Sequence, residues 1–182
     1  LSPAARKIAD GWDPARDEAA GEQCKAYGAA GLMRLPTRIR IAWQDDTTLK
    51  LETDAGTQTR VFYFGPPQGT GGDWQGLSSA TWDAPRAPFA GRGGGPALGG
   101  SLKVVTTRMK PGYLRKNGAP YGANAVLTEY FDRFEIPGGD SLLVVTSELV
   151  DPENLISPYW TSQQFKPENG TTGWNPTPCT AR

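Results

Sequence analysis

The chain has 182 residues, a formal net charge of zero and no histidine. This length suits one domain with a substantial core better than two domains, and the balanced charge argues against nucleic acid as a partner. The absence of histidine excludes Ser-His-Asp and Cys-His catalysis and most transition-metal sites. Oxygen-ligated calcium stays possible, but no D-x-[DN]-x-[DN]-G loop is present, and we predict no metal and no cofactor.

The first 31 residues have the signals of a helical leader. Ser2 precedes Pro3, and Asp13 precedes Pro14, so each pair supplies a helix N-cap followed by a favoured first helical position. We expect the second helix to run from Ala15 to Lys25 and the leader to end at a following glycine. No apolar run is long enough for a transmembrane segment.

A two-residue hydrophobic period begins after the leader and predicts strands with one inward face. The turns after Trp43 and Thr53 indicate two hairpins, in which Trp43 pairs with Leu49, Leu51 with Thr59, and Leu49 with Val61. This register places eight side chains on one inward surface. They are Ile39, Ile41, Trp43, Leu49, Leu51, Thr59, Val61 and Tyr63.

Five further strands are predicted at about 78–82, 102–109, 126–134, 142–149 and 159–165. Turn residues such as Pro111-Gly112 and Asn117-Gly118 separate them. About eight strands joined mostly by hairpins predict an all-β fold, an antiparallel up-and-down, lipocalin-like barrel with a short N-terminal helical segment. A two-sheet sandwich is the alternative.

The predicted domain has three parts. Residues 1–31 form the helical leader packed on the barrel, and residues 32–165 form the barrel itself. The Gly- and Pro-rich stretch 66–100 is an insertion within it, since long segments of this composition are usually functional loops or linkers. Residues 166–182 form an extended tail that Cys179 ties back to the leader.

The strand 126–134 has two chemically different faces. We expect Tyr130 and Asp132 to face inward, because pairing of Asp132 with Val145 continues their side as Leu143, Val145, Ser147 and Leu149, the more apolar side. An inward carboxylate beside a tyrosine suits proton transfer or a polar contact with a ligand, although pairing with an arginine at the rim is the alternative. The ligand-lining residues predicted are Trp43, Tyr63, Tyr130 and Asp132.

Cys24 and Cys179 are the only cysteines and enclose nearly the whole predicted domain. We expect them to form a disulfide, which persists outside a reducing cytosol; the alternative is two unrelated buried thiols. The chain begins at Leu1 without an initiator methionine, as remains after removal of an export signal or after trimming. Together these features predict a secreted or periplasmic protein.

Several segments also resemble a family of exported bacterial proteins of unassigned function. They are QCKAYG (23–28), WQDD (43–46), TDAGTQTR (53–60), PGYLRKNG (111–118), LTEYFDRF (127–134) and WNPTPC (174–179). The resemblance implies an exported, disulfide-closed domain and carries no known activity. Gly11-Trp12 lies in the helical leader rather than at a first strand, so the lipocalin-like description concerns shape alone.

Three classes of function stay open from the sequence. We favour a module that binds a small, largely apolar molecule inside the barrel. An accessory subunit of a larger extracytoplasmic assembly would instead have a filled barrel and use its loops and tail to contact a protein partner. A histidine-free isomerase or cyclase acting through Asp132 and Tyr130 is the third class, and we favour an enzyme least.

Overall fold

A computed structural model of the protein describes residues 1–83, 100–136 and 138–182. Eight strands form one sheet that curls into a half-barrel, and a short hairpin of two further strands lies beside it. The strands are β1 (Ile39–Asp45), β2 (Thr48–Thr53), β3 (Thr59–Tyr63), β4 (Leu77–Asp83), β5 (Ser101–Thr107), β6 (Gly112–Tyr113), β7 (Pro120–Tyr121), β8 (Val126–Glu135), β9 (Ser141–Val150) and β10 (Tyr159–Phe165).

The helical leader has three short helices and a 3-10 turn. The helices are α1 (Pro3–Asp10), α2 (Pro14–Ala19) and α3 (Ala29–Leu32), and the turn is Lys25–Tyr27. Both predicted N-caps are confirmed, since Ser2 Oγ accepts a hydrogen bond from Ala5 N at 3.2 Å and Asp13 Oδ1 accepts one from Ala15 N at 3.0 Å. The second helix is shorter than predicted, because the backbone turns left-handed at Gly21 (φ +70°).

The large sheet has the strand order β1-β2-β3-β4-β5-β8-β9-β10. Each of its pairs is antiparallel except β3 and β4, which run parallel because a long connection returns the chain to the opposite end. The predicted mainly antiparallel β fold is therefore confirmed, whereas the up-and-down meander is broken at this pair. Within the described ranges no backbone ladder joins β1 to β10, so both remain edge strands of the half-barrel.

The first hairpin has the predicted register, with Trp43 opposite Leu49 and Ile41 opposite Leu51. The second is displaced by one residue: Leu51 lies opposite Arg60, and Leu49 lies opposite Phe62. Thr53 N donates to Gln58 O at 3.0 Å, which leaves a four-residue turn rather than the predicted three-residue loop. The prediction that Thr59, Val61 and Tyr63 face inward was therefore wrong, because a one-residue shift reverses every side chain.

The β8–β9 hairpin differs from its prediction in the same way. Asp132 lies opposite Val144 and Tyr130 opposite Thr146, and the ladder ends at Glu135 opposite Ser141. The turn between β8 and β9 contains an odd number of residues, whereas the predicted pairing requires an even number. Leu127, Glu129 and Phe131 of β8 are consequently the buried side chains. The concave face of the half-barrel carries them, whereas Tyr130 and Asp132 lie on its convex face.

The leader fills one end of the concave face. Tyr27, Leu32 and Met33 are buried there in one cluster with strand residues that include Leu51 and Phe62. Ala29 and Ala30 belong to a second cluster, under the β6–β7 hairpin. The leader thus contributes to both clusters, and burial of these apolar groups is the main force that holds it on the sheet.

The C-terminal tail returns to the leader through the predicted disulfide, which is confirmed. Cys24 and Cys179 are bridged, with Cα atoms 5.1 Å apart. Beside the bridge, Thr180 N donates a hydrogen bond to the Tyr27 hydroxyl at 3.2 Å. A short parallel bridge between Ala55 and Thr177 continues the attachment along the β2–β3 turn. No helix in the described ranges is long and apolar enough to cross a membrane.

Candidate ligand-binding site

The structure separates the four residues predicted to line a ligand cavity. Trp43 lies on the concave face near its rim, and 53% of its surface is exposed. Tyr63, Tyr130 and Asp132 lie on the convex face because of the two register shifts. The four side chains therefore do not share one surface, and only Trp43 lies on the side where a cavity would form.

Tyr130 and Asp132 take part in ordinary cross-strand contacts on the convex face. The ammonium of Lys103 lies 5.7 Å from the centre of the Tyr130 ring, which is a cation-π geometry. Asp132 accepts a hydrogen bond from the hydroxyl of Ser101 on the neighbouring strand. Both residues are half-buried, and the two contacts join β8 to β5.

A buried ion pair that the sequence analysis missed lies on the concave face. Arg60 Nη1 donates to Glu129 Oε1 at 3.0 Å, and Arg60 Nη2 donates to Glu129 Oε2 at 2.5 Å. Arg60 Nη2 also donates to Thr106 Oγ1 at 3.1 Å, and the Thr106 and Ser78 hydroxyls are 2.7 Å apart. The network links β3, β4, β5 and β8 across the floor of the half-barrel.

The geometry of this network suits a structural role in the sheet better than proton transfer. The carboxylate of Glu129 receives both guanidinium donors in a bidentate arrangement, which is the strong form of such a pair. A buried charge pair that is well matched resists separation, because either partner left alone would be desolvated without compensation. Glu129 lies between Leu127 and Phe131 on one face of β8, a pattern that indicates burial. Both faces of β8 contain aromatic residues, however, and the sequence analysis predicted the opposite face to be inward.

A cleft of about 760 Å³ lies between β1 and the ends of β8, β9 and β10. Its apolar lining consists of Ile39 and Ile41 from β1, Leu143 from β9, Phe165 from β10, and Pro167 and Trp174 from the tail. Leu143 lies directly opposite Phe165 in the β9–β10 ladder, so the two present a joint apolar wall. Ligand cavities in proteins are usually about 300–1,000 Å³ and mostly apolar, so this cleft has the size and lining of a binding site.

The cleft also carries charged groups. Arg38 Nε donates to both carboxylate oxygens of Glu168 at 3.1 and 2.9 Å, which fixes the tail against β1. The Arg40 guanidinium lies 3.8 Å from the centre of the Trp174 ring, a close stacking distance. Arg133 and Lys166 complete the cationic lining.

Asp54 holds the tail to β1 at one end of the cleft. Its Oδ1 accepts hydrogen bonds from Arg38 N at 2.8 Å and from Thr37 Oγ1 at 2.9 Å. The tail residue Asn175 donates from its backbone N to Oδ2 at 3.4 Å. Burial alone would raise the pKa of Asp54, but these hydrogen bonds to the carboxylate outweigh it and lower the pKa below its usual value.

Three aromatic rings continue the concave face toward its rim. The ring centres of Trp43 and Phe64 are 5.2 Å apart, and those of Phe64 and Trp82 are 5.6 Å apart. Trp82 is 59% exposed. These three rings extend the apolar surface that starts at Ile41 in the cleft. They lie at the end of the half-barrel that the leader does not fill. The rest of the predicted insertion, residues 84–99, lies outside the described residues.

The described ranges contain no group of three or more His, Cys, Asp or Glu side chains arranged to hold a metal ion. Comparisons with protein-family models, curated proteins and solved structures gave no match to this chain. The resemblance to exported bacterial proteins therefore stays a prediction. The cleft between β1 and β10, with its apolar wall and its volume of about 760 Å³, is therefore the candidate site.

Proposed function

We propose that this protein binds a small, largely apolar molecule in the cleft between β1 and the β8–β10 strand ends. The observation that carries the proposal is the apolar wall of Ile39, Ile41, Leu143 and Phe165 around a space of about 760 Å³. Apolar burial of a ligand against such a wall supplies most of the binding free energy in comparable cavities.

The leader determines where such a ligand binds. Tyr27, Leu32 and Met33 occupy the concave face at one end, so a ligand enters at the open seam between the two edge strands. The proposed arrangement is lipocalin-like in shape, with a curled sheet that is closed at one end and open at the other. The disulfide supports a further part of the proposal, export to an oxidising compartment.

The proposal is tested with a neutral apolar fluorophore, N-phenyl-1-naphthylamine, titrated into the purified protein. We expect saturable binding to one site, which Ile41→Asn weakens roughly tenfold because it removes apolar contact from the cleft wall. Val150→Asn is the matched control, since Val150 and Ile41 are both 38% exposed but Val150 lies on the convex face. Absence of saturable binding, or equal weakening by both substitutions, would reject the proposed site.

An accessory subunit of an extracytoplasmic assembly is the second candidate function. Two observations favour it: β1 and β10 each have one edge without a partner strand among the described residues, and the rings of Trp43 and Trp82 are exposed. Open strand edges and exposed aromatics are common at protein interfaces. Native mass spectrometry of protein purified from its source distinguishes the two functions. A retained small molecule supports the ligand-binding module, and a retained protein partner supports the subunit.

The third hypothesis was an isomerase or cyclase that uses Asp132 and Tyr130. It requires a carboxylate enclosed with its substrate. Both side chains lie on the convex face, and neither lines the cleft. No observation on the described residues favours this activity, and we expect Asp132→Asn to leave ligand binding in the cleft unchanged.

A further inference from the structure

The cleft has an uneven distribution of charge. Four of its lining side chains are cationic, namely Arg38, Arg40, Arg133 and Lys166, and one is a carboxylate, Glu168. The whole chain has a formal net charge of zero, so this excess of positive charge is local.

Two carboxylates beside the cleft, Glu168 and Asp54, are already paired with Arg38. Glu168 accepts two hydrogen bonds from Arg38 Nε, and Asp54 lies 3.7 Å from Arg38 Nη1. Within the described ranges no ion pair is formed by Arg40, Arg133 or Lys166. Three of the cations that line the cleft therefore lack an ion-pair partner among the described residues.

Arg133 has the best position of the three to meet a bound molecule. It follows Phe131 by two residues in β8, so it lies on the concave side of the strand, and it pairs directly with Leu143 of the apolar wall. Its side chain is exposed at the rim. A ligand that rests on Leu143 and Phe165 would thus have its end beside this guanidinium.

We infer that the ligand is an amphipathic anion, with an apolar body on the wall of the cleft and a single carboxylate at the Arg133 end. This inference rests on the proposed function and adds the chemical class of the ligand. Guanidinium groups bind carboxylates by charge-assisted hydrogen bonds, and the planar Arg40, stacked on Trp174, is held where it adds to the same positive field.

The test uses isothermal titration calorimetry with decanoate, decanol and decyltrimethylammonium, each below its aggregation concentration. The three probes share an apolar chain and differ in the charge of the head. We expect decanoate to bind about tenfold more tightly than decanol, which is the effect of one charge-assisted hydrogen bond, and decyltrimethylammonium to bind most weakly.

Substitutions test whether the preference for decanoate over decanol arises in the cleft. Arg133→Gln should abolish most of the preference for decanoate over decanol, and Lys166→Gln should reduce that preference in the same direction. Lys103→Gln is the control, because Lys103 is a cation on the convex face of the same sheet. Near-ultraviolet circular dichroism verifies that each variant is folded.

The outcomes separate this inference from the proposed function. If decanol binds saturably and decanoate binds no more tightly, or if Lys103→Gln has the same effect as Arg133→Gln, the anionic ligand class is wrong while the apolar site stands. If neither decanol nor decanoate binds saturably, the proposed function itself fails and this inference fails with it.

Discussion

Arg60 and Glu129 form a bidentate ion pair inside the half-barrel, with side chains that are 0% and 1% exposed. The two residues are 69 positions apart in sequence, and the contact joins β3 to β8 across the intervening strands β4 and β5. The pair therefore links both halves of the sheet.

Removal of one partner of this pair is expected to be costly. Glu129→Gln should lower the free energy of unfolding by about 3–5 kcal/mol, because it leaves the buried guanidinium without a counter-charge. Urea denaturation measures the loss. Asp132→Asn, on the convex face of the same strand, is the control and should cost about 1 kcal/mol or less.

The double variant Arg60→Met/Glu129→Leu keeps the test informative if Glu129→Gln does not fold. Replacement of both charges by apolar side chains of similar size should recover much of the lost stability. Equal effects of Glu129→Gln and Asp132→Asn would show that the pair does not hold the sheet together.

Two glycines with nearly the same backbone conformation differ in their surroundings. Gly56 has φ +73° and Gly21 has φ +70°, so alanine at either position adopts a disfavoured left-handed conformation at a cost of about 1–2 kcal/mol. A Cβ on Gly56 would also lie 2.2 Å from Cδ1 of Tyr27, whereas a Cβ on Gly21 meets nothing within 4 Å. Thermal denaturation should therefore show a much larger loss for Gly56→Ala, and equal losses would mean that Tyr27 does not pack on this turn.

Stability should fall in acid partly through Asp54. Its pKa is lowered in the folded state because, although burial alone would raise it, hydrogen bonds from Arg38 N, Thr37 and Asn175 favour the carboxylate. The stabilisation is thus complete above the unfolded pKa of about 4 and is lost as the pH falls through the lower folded value. Asp54→Asn should be less stable near neutrality and lose less stability on acidification. Unfolding curves measured from neutral to strongly acidic pH would contradict this if the two proteins lost stability in parallel.

Loss of the Cys24–Cys179 bridge should destabilise the whole domain. The bridge closes a loop of 155 residues, and native disulfides of this kind typically contribute about 2–5 kcal/mol. The double variant Cys24→Ser/Cys179→Ser should show this loss of stability in urea denaturation. Addition of a reductant should not change the stability of the double variant. Two free thiols recovered by non-reducing peptide mapping of protein purified without reductant would contradict the bridge itself.

The sequence by itself determined the eight main strands of this fold, whereas the short β6–β7 hairpin was not predicted. The two-residue period of residues 38–64 and of the five later segments placed all eight strands of the large sheet, because alternation of apolar and polar side chains is a local property of each strand. The N-caps at Ser2 and Asp13 were also read directly, since a cap is a contact between near neighbours. The position of two cysteines at opposite ends of the folded part predicted their bridge.

The tertiary structure alone decided which face of β3 and which face of β8 is inside. A turn longer or shorter by one residue changes which face of one strand shares a side with its neighbour, and both Thr53–Gln58 and Glu135–Ser141 close turns whose length the sequence left ambiguous. That difference moved Tyr63, Tyr130 and Asp132 to the convex face and placed Arg60 and Glu129 in the interior. The cleft could not be predicted either, because its walls meet only when β1 and β10, more than a hundred residues apart, are brought together by the curvature of the sheet.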